Sequence, residues 1–175
     1  MIDTIFPAVV RKYNIDDPLV RGWAYEQYNK DKFNIPSPFR IEMTDIPTNL
    51  AANYADVTEK LLDDLNISDT HVAFITDMIL AVLEKGDSMD RCNTLPSHYT
   101  ATHYIEGNDA DIFYHPARSL LTLCTPGLDE WSSATSLYVN QGDVIVHPSY
   151  LEYNTPPVKQ QRVTATLLIS VQEKE

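Results

Sequence analysis

Residues 142–157, GDVIVHPSYLEYNTPP, read as a turn at Gly142, a strand over Asp143–His147, a polar bend reaching Tyr153, and a stretch that Pro156 and Pro157 bar from further regular pairing. The same grammar extends both ways. From about Ser97 onward, Gly, Pro, Asn and Asp separate strand-length pieces: HYTATHYI, DIFYH, SLLTLC, TSLYV, DVIVH and RVTATLLISV. Alternation is strictest in the last, where Val163, Ala165, Leu167, Ile169 and Val171 face one way.

The N-terminal half has a different period. Ile5–Val10, around Pro7, reads as an edge strand, because proline cannot donate to a central ladder. Asp16 or Asp17 then caps a helix with Pro18 in its first turn and Leu19, Trp23 and Gln27 on one face, although Gly22 weakens it. Pro36, Pro38 and Pro47 turn the following stretch into a loop with one short strand. The clearest helix is TNLAANYADVTEKLLDDLN, where Leu50, Tyr54, Val57, Leu61 and Leu65 recur at helical spacing behind a Thr48/Asn49 cap. A second helix is expected from Ser68, with His71 on the surface of its first turn, Val72, Ile75, Ile79 and Val82 inward, and Gly86 closing it. Helices first and strands later predict an α+β domain over 1–175: an N-terminal strand and helices over 1–90, packed on one side of an antiparallel sandwich or jelly roll over 97–175.

Composition narrows the function classes. The chain has 175 residues, the size of one domain, with 13 Lys+Arg against 25 Asp+Glu and a formal charge of -12. Such a surface repels nucleic acid and anionic lipid; the basic clusters RK and KQQR are short, so neither partner is expected. No stretch is apolar enough to span a bilayer and the start lacks a secretory pattern, so a cytoplasmic protein is expected. Cys92 and Cys124 form no CxxC and have no zinc-finger histidines, which reads as two buried free thiols. GxGxxG, P-loop, GxSxG and HExxH motifs are absent.

Four of the five histidines, His98, His103, His115 and His147, fall in the β half. There, FYHPARSLL, TSLYVNQGDVIVHPSYLEYNTPP and QQRVTATLLIS resemble the C-terminal half of 2-oxoglutarate/Fe(II)-dependent oxygenases, in a branch that reads HxHP, then GD-hydrophobic-FPSWLEHxVPP, then an arginine opening the last strand. IFPAVV is similar to that branch's first strand. The resemblance implies an antiparallel double-stranded β-helix, cupin-like, with iron held by two histidines and a third ligand beside a bound keto-acid. It places HxHP on Phe113, Tyr114, His115 and Pro116, and the distal histidine on Tyr153. Of those ligands only His115 remains, while Arg162 matches the arginine that pairs with the distal carboxylate of 2-oxoglutarate. Asp111, His103 and His147 are the substitute ligands to be considered; alternation puts Asp111, Phe113 and His115 on one side of a strand.

With its ligands degenerate, the chain is expected to be a non-catalytic, protein-binding module that holds no cofactor. Ten tyrosines and two tryptophans suit interfaces, or simply the core. Because relatives of the resembled family are frequent in tailed bacteriophages, the resemblance implies a subunit of a larger particle, with other proteins or further copies of this chain in a homo-oligomer as its partners, made in host cytoplasm and carried in the virion. The alternative is an active dioxygenase using Fe(II) and 2-oxoglutarate through atypical ligands. A third reading takes His98-Tyr99-Thr100 and His147-Pro148-Ser149 as the HxT/HxS pair of a two-histidine phosphoesterase.

Overall fold

A computed structural model describes residues 10–31, 37–114 and 134–174. Among these residues the strands form two antiparallel sheets. The larger runs in the order β1 (Arg11–Asn14), β8 (Asp143–Pro148), β5 (Tyr99–Glu106), β10 (Arg162–Glu173), β3 (His71–Leu83) and β2 (Phe39–Arg40). The smaller runs β4 (Met89–Cys92), β9 (Tyr153–Thr155), β6 (Ala110–Tyr114) and β7 (Ala134–Tyr138). Helices α1 (Val20–Asp31) and α2 (Thr48–Asp64) pack on the outer face of the larger sheet. This is the expected α+β architecture, an antiparallel double-stranded β-helix with its helices on one side.

Strand periodicity divides the interior into two cores. Along β10, Val163, Ala165, Leu167 and Ile169 are fully buried beneath the helices, and along β5 the same phase is held by Ala101, His103 and Ile105. From α2, Leu50, Tyr54, Val57 and Leu61 meet them, each contributing about 1.5–3 kcal/mol through the apolar surface it removes from water. The opposite phase, including Tyr104 on β5 and Ile145 on β8, faces the smaller sheet and builds the second core. One carboxylate ties the helix starts together. Asp17 Oδ1 accepts the Leu19 N–H at 2.9 Å, and its Oδ2 accepts the Asn49 side-chain amide at 2.6 Å.

The structure corrects several expectations. The helix predicted from Ser68 is β3, a strand of 13 residues paired with β10 along its length. The spacing of Val72, Ile75, Ile79 and Val82 fits a helix, but those residues and Thr76 are β-branched and favour strands once a partner is available. Gly86, at φ +96°, closes a β-turn in which the Asp87 N–H bonds the Glu84 carbonyl at 2.9 Å, so the left-handed residue is real and the helix is not. Pro47, not Thr48 or Asn49, occupies the α2 N-cap, and no side chain caps it. Leu19 precedes α1 and is exposed; Val20, Trp23, Ala24 and Gln27 form the buried face. Tyr153 opens β9 instead of sitting in a bend. The expected edge strand at Ile5–Val10 lies outside the described residues except for Val10, which is not in a strand, and SLLTLC with Cys124 lies wholly outside them.

Candidate functional site

Phe113 and Tyr153, two of the positions onto which the resemblance carries metal ligands, face the space between the sheets. Phe113 on β6 and Tyr153 on β9 are register partners, and direct cross-strand neighbours bring their side chains into contact. Their rings stack with centroids 5.6 Å apart. His147, on β8, packs edge-on to both, at 5.1 Å from Phe113 and 5.2 Å from Tyr153. A carbonyl can only accept, so His147 Nδ1, 2.9 Å from the Pro148 oxygen, carries the proton. Nε2 is thereby left as a buried lone pair without a partner among the described residues. Burial lowers the His147 pKa to about 4, against a smaller opposing effect of the Pro148 bond, so the ring is neutral near pH 7.

Tyr153 is held in its protonated form. Burial pushes its pKa upward, and nearby Cys92 and Asp111 push the same way. Thr102 acts in the opposite direction, with a smaller effect. Burial in turn raises the Cys92 thiol.

A second cluster lies on the same inner face. Asp111 and Phe113 share one side of β6, as alternation requires. The Asp111 carboxylate accepts from Arg162 Nη2 at 2.6 Å, the Tyr104 hydroxyl at 2.5 Å and Thr155 Oγ1 at 2.7 Å. The pair is deeply buried, with side-chain exposures of 3% for Arg162 and 2% for Asp111. The guanidinium also lies over the Tyr104 ring, 4.7 Å from its centroid, while Arg162 Nε and Nη1 have no partner among the described residues.

The candidate residues therefore separate. Asp111, Phe113, His147, Tyr153 and Arg162 face the interior between the sheets. His103 points the other way, with Nδ1 3.0 Å from the Tyr54 hydroxyl of α2. His115 lies outside the described residues. Among the described residues, no group of three or more His, Cys, Asp and Glu side chains is placed to hold a metal ion. Phe113 offers no lone pair and Tyr153 keeps its proton, so the described residues do not fit a bound iron.

The phosphoesterase pair is not assembled either. His98 is exposed and accepts the Val171 N–H at 2.9 Å, whereas His147 is buried between the sheets. The hydroxyls meant for phosphate, Thr100 and Ser149, are fully buried and bond each other at 2.8 Å, with Ser97 also on Ser149 and Thr94 on Thr100. His71, expected on a helix, opens β3 and pairs with the Thr70 hydroxyl at 2.8 Å.

Sequence reasoning missed Tyr104, Thr155, Cys92 and Thr102. A signal existed for two of them: in HYTATHY, residues 100, 102 and 104 share the phase opposite to His103. Trp23, Tyr54, Tyr104 and Tyr153 prove to be core, leaving Tyr138 and Tyr150 as well-exposed tyrosines among the described residues.

The aromatic packing makes a prediction. Restoring imidazoles, as Phe113→His with Tyr153→His, lowers stability in urea melts by about 1–3 kcal/mol per substitution, because packed aromatic volume is lost and polar groups are buried. Unchanged stability would mean that the Phe113–Tyr153 stack and its edge-on contacts with His147 contribute nothing to stability.

No protein-family model matches the sequence, and no curated protein matches it. Solved structures do. The Pseudomonas putida prolyl-4-hydroxylase is 12% identical over 96% of this chain and 94% of its own, with a TM-score of 0.58. The viral collagen prolyl hydroxylase of Paramecium bursaria Chlorella virus-1 gives 12%, 97%, 96% and 0.58 in the same order. HygX of Streptomyces hygroscopicus, solved with nickel and 2-oxoglutarate bound, gives 10%, 93%, 82% and 0.61. At such identities the likeness is one of backbone, and it states which backbone: this chain has the fold of the 2-oxoglutarate/Fe(II) oxygenases.

Proposed function

We propose that this chain is a non-catalytic, protein-binding module built on the oxygenase-type double-stranded β-helix. The observation that carries the reading is the Phe113–Tyr153 stack, with His147 edge-on to it, in the space where an active member of the fold would need metal donors. The Asp111–Arg162 pair supports it: the arginine that matches the keto-acid receptor is engaged by the protein's own carboxylate. A fold freed of its chemistry is retained for its surface. The resemblance of PSYLEYNTPP and its flanks to phage-type sequences supports a place in a larger particle, synthesised in host cytoplasm and carried in the virion; mass spectrometry of purified particles tests that placement.

One observation favours the active dioxygenase. His147 presents a neutral Nε2 lone pair inward with its tautomer fixed by a backbone carbonyl, as metal-ligating histidines do. One donor leaves a coordination sphere far from complete. Metal analysis after incubation with Fe(II), combined with succinate release from 2-oxoglutarate, decides between the readings. Iron at background level and no succinate are expected. Near-stoichiometric iron lost in His147→Phe, together with succinate, overturns the non-catalytic reading.

A further inference from the structure

We propose that Arg162, Tyr104 and Thr155 form a carboxylate receptor which the chain fills with its own Asp111 side chain, and that small free monocarboxylates are the ligand class it takes when that side chain is removed. The inference rests on the reading of this interior as closed to a keto-acid, and goes beyond it by saying what closes it.

The donors converge from strands other than that of the carboxylate they hold. Asp111 stands on β6, while Tyr104 stands on β5, Thr155 on β9 and Arg162 on β10. Both Asp111 oxygens are used: Oδ2 takes Arg162 Nη2 at 2.6 Å and the Tyr104 hydroxyl at 2.5 Å, and Oδ1 takes Thr155 Oγ1 at 2.7 Å. Removing the Asp111 carboxylate therefore leaves all three donors anchored, because the ladders of their own strands position them. The match is also incomplete. Asp111 engages the guanidinium through Nη2 alone, and Nε and Nη1 have no partner among the described residues. A side chain tethered to β6 cannot turn to satisfy the whole fork, whereas a free carboxylate can approach it edge-on. Burial supplies the drive, since an arginine stripped of its counter-ion in a dry interior is strongly unfavourable until an anion replaces it.

The test uses the full chain in metal-free buffer. Asp111→Gly deletes a CH2COO⁻ group, and acetate restores the same group untethered. In Asp111→Gly, acetate is expected to raise the melting temperature saturably by about 5 °C over chloride at equal ionic strength. The wild-type chain shows no such difference, and Asp111→Gly combined with Arg162→Leu loses it. If Asp111→Gly does not fold in chloride, the same comparison is read as the yield of folded protein on refolding from urea, with acetate above chloride. Acetate no better than chloride in both formats overturns the proposal, as does rescue that survives Arg162→Leu. An Arg162-dependent stabilisation of wild type by acetate overturns the claim that Asp111 fills the receptor. None of these readouts involves iron, so their failure is separate from a failure of the non-catalytic reading, which is read as bound iron and released succinate.

Discussion

Arg162→Met is expected to lower the unfolding free energy by about 3–5 kcal/mol, the usual cost of leaving a buried charge without its partner. The arginine itself is well replaced in volume by methionine, so the loss comes from Asp111. Its carboxylate remains between the sheets with the Tyr104 and Thr155 hydroxyls but no cation. The double variant Arg162→Met with Asp111→Leu removes both charges, and it is expected to be about 2 kcal/mol more stable than Arg162→Met alone. It does not return fully to wild type, since Tyr104 and Thr155 then lose an acceptor in a buried place. Urea denaturation of the wild type, both singles and the double gives the coupling directly. Additive losses would mean that the pair contributes no coupling and that Asp111 and Arg162 are stabilised by their other neighbours.

How much of this was legible beforehand depended on the range of the interaction. The C-terminal strands were readable because DVIVH and RVTATLLISV carry their alternation within themselves, and α2 because Leu50, Tyr54, Val57 and Leu61 repeat on one face without help. HVAFITDMILAVL was misread because its apolar spacing satisfies a helix, while the partner that makes it a strand, β10, lies some ninety residues downstream. The short β4 and β9 have little pattern of their own and exist through pairing with each other and with β6. At the site, motif spacing was enough to nominate Phe113, Tyr153 and Arg162. It could not show that His103 turns toward the helices while His147 turns inward, because that depends on strand phase relative to a second sheet. Nor could it pair Asp111 with Arg162, which are brought together only when β6 and β10 face each other across the interior.

The two histidines that strand phase separates share one property, and together they are expected to make the protein sensitive to mild acid. Burial lowers the pKa of each to about 4 from an ordinary value of 6.5: His103 beneath α2, His147 between the sheets. Above pH 6.5 both are neutral in the folded and unfolded chain, and they have no effect on the balance. Below it the unfolded chain takes up a proton at each ring while the folded chain does not until near pH 4, so stability falls as pH falls through that window. Between pH 7 and pH 5 the loss is about 2 kcal/mol for each histidine, or ~4 kcal/mol for the two together, before most carboxylates titrate. Urea melts at half-unit steps of pH measure the slope. His147→Phe fills the edge-on place against Phe113 and Tyr153 with a ring that cannot ionise, and His103→Gln keeps a polar partner for the Tyr54 hydroxyl. Each variant is expected to remove about half of the slope. A stability that stays level from pH 7 to pH 5 in the wild type would show that both rings reach solvent before they are protonated; a slope that survives in both variants would place its origin in groups other than these histidines.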